Sequence, residues 1–409
     1  MQPTHEPQPI GKPHDPAAPT AQRPAPKRAI CAFYASTHYG SEYRAGIEFI
    51  RYAAHNGFDL AVIADLEENS SAEELQALFP GMRVVRIPSI VTRQQTLYRF
   101  TDLLPQTVWH WRASHWLKQH APALEAVWIQ NGALPWLPLS PYFALTKHIV
   151  WGPVGGGESP TPRMLAQLPM KVRLREQMRG WLETSMLRGK RHAIRRKGAP
   201  RVTALARTNE SRRQLEQVLG LQLPVVPEIL EPLKAVDFQA TPTTAPRFVW
   251  VGQNIARKNL PLALRCFVWF RDNGFPDARL EIYGCEASAG PATPGVTYHG
   301  WVRRIDWAAI GPGAVLLLTS FREGLPSVVL EALQNGLLCV SSDVGAISSL
   351  GSPGVVTLPL DEYPEFSEAS LKSAADRIAA HLASARIRRP SISYQAVLNQ
   401  HLRLEGIVS

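Results

Sequence analysis

Along nearly the whole chain, short apolar runs alternate with longer runs in which apolar residues recur every three or four positions. Residues 29–34 form the first apolar run, and 44–56 carry the helical period up to Gly57, a helix stop. Further apolar runs lie at 59–64, 83–87, 126–130, 148–151 and 202–206, the last followed by Asn209 and Ser211 as caps for a helix. A second series follows at 248–251, 280–283, 296–298, 314–318, 338–341 and 355–358, with helices from about 262, over 368–383 and over 394–404. Buried strands alternating with helices build parallel sheets, because each return to a parallel strand needs a crossover. The predicted fold class is therefore α/β, with two doubly wound, Rossmann-like domains. The first domain spans 28–225 and the second 247–385; between them the Pro-rich, aperiodic stretch 226–246 reads as a linker. Residues 386–409 form a terminal helical segment, and residues 1–27, with eight prolines and few large apolar side chains, read as a disordered tail.

The most informative stretch is 316–345, LLLTSFREGLPSVVLEALQNGLLCVSSDVG. It reads as strand, turn, helix and strand: Pro326 suits a helix start, and Asn335-Gly336 a helix stop. Glu323 stands just before this helix and Glu331 inside it, eight residues on. Eight helical residues rise roughly 12 Å, about the span of a sugar plus a diphosphate. The helix start adds the amides of Leu325 and Ser327, beside Gly324, as an anion seat between two acceptors for hydroxyl groups. Taken alone, the same spacing also fits an ordinary surface Glu and a Glu placed for the helix dipole.

Other loops after strands carry related chemistry. Gly252-Gln253 opens a loop that ends in Arg257-Lys258-Asn259, where two adjacent cations beside a strand-to-helix turn can neutralise a diphosphate. The run 152–158, Gly-Pro-Val-Gly-Gly-Gly-Glu, holds four glycines in six positions and lets backbone amides close on an anion or a sugar ring. Gly40-Ser41-Glu42 follows the first strand, the usual place for a ligand.

These residues together resemble the retaining GT-B glycosyltransferases of the large family 4 type. EGLPSVVLEALQNG is similar to the Glu-x7-Glu signature of that family. The resemblance implies that Glu323 lies at the sugar and phosphates, Glu331 holds the ribose hydroxyls, and the helix amides hold the donor. The loop at 252–259 resembles the family's Gly-Arg-x-x-x-Arg-Lys-Gly pattern with Lys258 as the phosphate lysine, although Gln253 replaces Arg and Asn259 replaces Gly. Gly300-Trp301, in the run His-Gly-Trp-Val, resembles the turn that passes the nucleotide base. Gly40-Ser41-Glu42 resembles the Gly-x-Glu loop near acceptor and donor phosphate. WGPVGGGE, with Gly155, Gly156, Gly157 and Glu158, is similar to a loop of a bacterial exopolysaccharide and lipopolysaccharide subgroup. That subgroup has a His on the preceding strand end; here Asn131 is the substitute candidate.

The resemblance implies a GT-B fold, two facing Rossmann-like domains with a central cleft, and a last helix that crosses back to the first domain. It implies a metal-independent hexosyltransferase with a nucleotide-sugar donor and a saccharide or lipid-linked saccharide acceptor. Glu323, Lys258 and Arg257 would be catalytic. No Asp-x-Asp cluster stands near these loops, so no metal and no cofactor is expected. Two further readings fit the same fold: a sugar-nucleotide epimerase and an inactive scaffold subunit.

A net charge of +10 over 409 residues points to an anionic partner. Residues 171–201 carry eleven Lys or Arg against two Glu, with Leu174, Met178, Trp181 and Ser185 at helical spacing. None of the common nucleic-acid signatures accompanies them, so an anionic membrane surface is the expected partner and nucleic acid is not. Residues 93–120 interleave Arg93, Tyr98, Arg99, Phe100, Trp109, Trp111, Arg112, Trp116 and Lys118. That segment fits either a membrane interface or a helix packed on a sheet with a solvated basic face. The four cysteines are scattered without CxxC and read as reduced core residues. With no run of membrane-span length, the expected location is cytoplasmic, peripheral on the inner membrane.

Overall fold

A computed structural model describes residues 25–408 except 39–40, 91–102, 131–138, 157–161, 168, 229, 231–233, 287–292, 303, 351 and 390. The first half builds a sheet from β1 (Arg28–Ala32), β2 (Leu60–Asp65), β3 (Arg83–Pro88), β4 (Ala126–Gln130), β5 (His148–Val154) and β6 (Arg201–Ala206). Every neighbouring pair is parallel, in the order β3-β2-β1-β4-β5-β6. Its helices are α1 (Ser41–His55), α2 (Ala72–Leu78), α3 (Leu103–His120), α4 (Pro162–Gln167), α5 (Met170–Ile194) and α6 (Asn209–Leu219). Because β4 is covered on both faces, all five of its residues are buried. Gly46 lets α1 lie on the chain leaving β1: a Cβ there would stand 1.8 Å from the Tyr34 carbonyl oxygen.

The second half repeats the plan after a short strand, β7 (Val236–Gln239). Its sheet contains β8 (Arg247–Val251), β9 (Arg279–Tyr283), β10 (Val296–Tyr298), β11 (Val315–Leu318), β12 (Leu338–Ser342) and β13 (Val355–Leu358). They are again parallel, in the order β10-β9-β8-β11-β12-β13. The helices are α7 (Leu260–Asp272), α8 (Trp307–Ile310), α9 (Ser327–Gln334) and α10 (Glu368–Leu382), followed by β14 (Arg386–Arg389) and α11 (Gln395–Leu404). Each sheet is clothed by separate apolar clusters on its two faces.

The structure departs from the sequence expectations at several places. The stretch 226–246 is not all linker: β7 pairs antiparallel with β14, so the two crossings between the halves form one ribbon. The terminal segment from 386 accordingly begins as a strand. The cap of α6 is Thr208, whose hydroxyl accepts from Ser211 N while Ser211 answers as the N3 partner; Asn209 is already helical. In α3, Trp109 and Trp116 are buried in the core of the first sheet, and Trp109 Nε1 donates to the Ile87 carbonyl. This overturns the membrane-interface reading of residues 109–116, where Trp111 is the exposed tryptophan; residues 93–102 fall outside the described residues. The basic helix ends at Ile194, and its apolar side faces outward: Leu174, Met178 and Trp181 are exposed, while Glu176, Glu183 and Leu187 are buried.

The four cysteines are buried and unpaired by disulfides. Among the described residues no helix is long and apolar enough to cross a membrane. Residues 398, 402, 407 and 408, in and just beyond α11, join the core of the first half beside Ile30, Phe49 and Trp128.

Candidate functional site

In the second sheet the strand order turns back between β8 and β11. Loops at the carboxyl ends of such strands diverge and leave room for a ligand. Gly252 follows β8 and Thr319 follows β11, and the loops they open meet there.

The loop 252–259 is held by hydrogen bonds that fix its cations. Gly252 N donates to the Tyr283 carbonyl at 2.9 Å, and Lys258 N to the Ile255 carbonyl at 3.0 Å. A Cβ at Gly252 would stand 3.3 Å from Lys258 Cγ, so the glycine gives the lysine stem its place. The Thr319 hydroxyl reaches the carbonyls of Lys258 and Asn259 at 3.1 and 3.0 Å, and Phe321 N donates to the Arg257 carbonyl at 3.0 Å. Asn259 caps α7 with its side chain and bonds the Tyr363 hydroxyl. Its φ of 50° is left-handed, a conformation that suits glycine and, among the others, asparagine. Gln253 is exposed.

Glu323 is buried between the two cations. Arg257 Nη1 lies 2.7 Å from its Oε2, and Lys258 Nζ lies 2.7 Å from its Oε1. Burial pushes the Glu323 carboxyl up, but Lys258 and then Arg257 outweigh it and hold the group below the usual glutamate range. Two cations and one carboxylate leave one net positive charge beside the N-terminus of α9. Gly324 and Leu325 precede that helix, Pro326 is its N-cap, and Ser327 is its first residue. Pro326 therefore sits one position earlier than the sequence placed it. The turn is pinned from behind by Gly345, with φ 63°: a Cβ there would stand 2.1 Å from the Gly324 carbonyl oxygen. Ala346 N donates to that same carbonyl at 3.0 Å.

Glu331 lies on α9 and is half-buried. Its Oε2 accepts the Trp307 indole N–H at 3.0 Å, which orients the carboxylate. Gly300 follows β10 with φ 67°, and Trp301 beside it is exposed. Gly284 N donates to the Gly300 carbonyl at 2.7 Å, joining the loop after β9 to this turn.

From the first half, Gly155 and Gly156 follow β5 and are buried, Gly156 with φ 108°. Ser41 and Glu42 open α1, and Glu42 is exposed in its first turn. Gly40, Asn131, Gly157 and Glu158 lie outside the described residues. The structure thus joins Arg257, Lys258 and Glu323 directly and places Gly324, Leu325 and Ser327 next to them in the chain. Glu331 and the Gly300–Trp301 turn stand on neighbouring elements of the same sheet end.

Two arginines that sequence reasoning passed over bind the halves at this point. Arg207, just after β6, takes the Val154 carbonyl through its backbone N–H at 2.9 Å and pairs with Glu228 at 3.3 Å. Its guanidinium packs against Gly324, where a Cβ would stand 3.1 Å from Nε. Arg322, next to Glu323, pairs with buried Glu176 of α5 at 2.5 Å. Position at a strand's carboxyl end was the one signal available for Arg207; Glu176 and Arg322 stand 146 residues apart and give none. Thr319, Trp307 and Tyr363 act through contacts that no local pattern carries.

Residues 245–376 match the family model of glycosyl transferases group 1. No curated protein matches the chain. The chain is similar in structure to a sucrose-phosphate synthase from Thermosynechococcus elongatus, at 12% identity over 93% of this chain and 98% of that one, with a TM-score of 0.51. It is also similar to a UDP-forming alpha,alpha-trehalose-phosphate synthase from Burkholderia xenovorans, at 10% identity over 92% of this chain and 98% of that one, with a TM-score of 0.52. At these identities the likeness is one of fold: GT-B, two Rossmann-like domains.

Proposed function

We propose that the chain is a retaining glycosyltransferase that moves a sugar from a nucleotide-sugar donor to a saccharide acceptor, without a metal. The acceptor is lipid-linked, and the setting is bacterial surface polysaccharide synthesis at the cytoplasmic face of the membrane. The observation that carries the transfer reading is the Arg257–Glu323–Lys258 cluster at the switch point of a glycosyl transferases group 1 domain.

The chemistry follows from charge. Breaking the sugar–phosphate bond leaves a diphosphate, and the negative charge grows at the oxygen that departs. Fixed cations and helix amides that need no reorganisation stabilise that charge. Lys258 is already positioned by Glu323 and by the Gly252 seat. Arg257 shares the carboxylate, and the α9 amides complete the anion seat. Glu331, oriented by Trp307, accepts from the ribose hydroxyls. In a retaining route the acceptor approaches on the face of the leaving group, so a phosphate oxygen takes its proton and no separate base is required.

A thermal-shift screen of sugar nucleotides should pick out the donor, since ligand at 100 times its dissociation constant adds about 2.7 kcal/mol. Lys258→Ala should lower kcat by a larger factor than it raises KM, because the charge it meets grows in the transition state. Glu331→Ala should weaken nucleoside diphosphate binding by about 1.5–3 kcal/mol, the worth of hydrogen bonds to a charged group. Near-normal turnover of the Lys258 variant, or equal nucleotide affinity of the Glu331 variant, would reject the corresponding role. Sugar turnover without release of nucleoside diphosphate would favour an epimerase.

A further inference from the structure

α5 turns its two faces the opposite way from an ordinary surface helix. Met170, Leu174, Met178, Trp181, Leu182 and Met186 are all exposed, Trp181 at 69% and Met170 at 71%. At 100° per residue they span an arc of roughly 160°. Lys171, Arg175, Arg188 and His192 fall within the same arc and are exposed too. The helix has two carboxylates, Glu176 and Glu183, and both are buried on its other side with Leu187.

That inner side fixes the orientation. Arg179 pairs with Glu176 at 3.2 Å and Glu183 at 3.0 Å, and Glu176 also holds Arg322 of the second half. Turning the helix over to bury its methionines would break these pairs and bring two carboxylates into water. The outer arc is therefore a fixed feature: apolar side chains, an indole and cations, with no acid among them.

Beside it a cavity of about 520 Å³ opens between α5 and α6, lined by Thr184, Arg188, Arg191, Glu210, Arg213 and Gln214. Arg188 belongs both to the arc and to this wall. Three guanidiniums against one carboxylate favour an anion the size of a phosphate-bearing headgroup.

We propose that the outer face of α5 is the surface by which this protein docks on an anionic lipid bilayer, its methionines, Leu174 and Trp181 entering the interface and its cations meeting the headgroups. Apolar area and cations on one unbroken arc fit such a surface in both of its properties, whereas a solvated charged face has no use for six exposed apolar residues. A bilayer also needs no cavity or complementary relief, and this helix offers a rod-like face of 25 residues. The proposal stands apart from the donor chemistry and holds or falls without it.

The test uses the full chain and co-sedimentation with vesicles of phosphatidylglycerol and phosphatidylcholine, or of phosphatidylcholine alone, at low and high salt. Binding is expected with anionic vesicles at low salt only. The triple variant Leu174→Ser, Met178→Ser, Trp181→Ser should bind at least tenfold more weakly with an unchanged melting temperature, because these side chains are exposed. Arg188→Gln with Arg191→Gln should lose about fivefold per cation removed. Size-exclusion chromatography runs alongside. Failure to pellet with anionic vesicles at low salt overturns the proposal. So does pelleting that the triple variant leaves unchanged, or a dimer that the triple variant dissociates in a protein that binds no vesicle. No sugar nucleotide is present, so the outcome is separate from that of the transfer assays.

Discussion

At the turn that carries Glu323, single backbone positions leave little room for change. Gly345→Ala would drive a methyl group to 2.1 Å from the Gly324 carbonyl and 2.4 Å from that of Glu323, at a φ of 63° that alanine adopts only with strain. The turn must shift, and with it the Glu323 carboxylate. We expect a loss of about 1–3 kcal/mol from overpacking and strain, read by urea unfolding, and a larger loss of nucleotide affinity. The glycine stands at the end of the stretch singled out in the sequence, but the steric reason for it lies in a carbonyl some twenty positions earlier. Asn259 is the opposite case: the departure from Gly was visible, and φ of 50° explains why asparagine serves. His110 supplies a pH test. It is fully buried, with Nδ1 2.6 Å from the Tyr142 hydroxyl, and burial pushes its pKa down to about 3. Below about 6.5 the unfolded chain takes up a proton that the folded chain refuses, so stability falls as pH drops through that window. From pH 6.5 to 5 this amounts to about 1.6 kcal/mol, the slope rising from half of about 1.4 kcal/mol per unit at pH 6.5 to nearly all of it at pH 5. His110→Gln should flatten the slope between those pH values in urea titrations; an unchanged slope would assign the effect elsewhere.

At the scale of elements, period identified helices but could not say which way they face. In α3 the same mixture of Trp and Arg admitted two readings, and the buried Trp109 and Trp116 decide for packing. In α5 the apolar spacing at 174, 178 and 181 is real, yet the protein core lies on the other side, because Glu176 and Glu183 find Arg179 and Arg322 there. Arg322 also abuts Glu323, so this pair ties a helix of the first half to the Glu323 turn of the second. Removing one partner of a buried ion pair leaves the other charge uncompensated, at about 3–5 kcal/mol. Glu176→Ala should therefore lower the unfolding free energy by a sum of that order and raise the donor KM while Lys258 remains in place. Thermal unfolding and steady-state kinetics on the same preparation check both. A destabilised variant with unaltered KM would show that the pair holds the halves together without positioning the loop.

At the scale of the whole molecule, the doubly wound plan of both halves was legible, because long buried strands and crossover helices announce themselves by period. The ribbon was not: β7 and β14 have four residues each, and Asp237 meets Arg386 across 149 positions. Nor does sequence tell which core receives the end of the chain. α11 leaves the ribbon and lays Leu398 and Leu402 against the first sheet, with Ile407 and Val408 beyond it. Tyr52 donates to Asn399 at 2.5 Å, and Arg201 pairs with Glu405 at 2.7 Å. Each large apolar side chain fully buried contributes about 1.5–3 kcal/mol, so the four together approach the 5–15 kcal/mol that typically stabilises a domain. A chain ending at residue 394, which keeps Ile392 and Tyr394 on the core of the second half, should consequently lose the first half before the second. In limited proteolysis of that truncation, cleavage should concentrate within residues 28–225, while a fragment containing 247–385 persists because its core clusters draw nothing from α11. In the intact chain both halves should resist alike. Equal resistance of both halves after truncation would mean that α11 merely covers the first sheet, and loss of the second half first would mean that the ribbon, through β14, carries more of the fold than the terminal helix does.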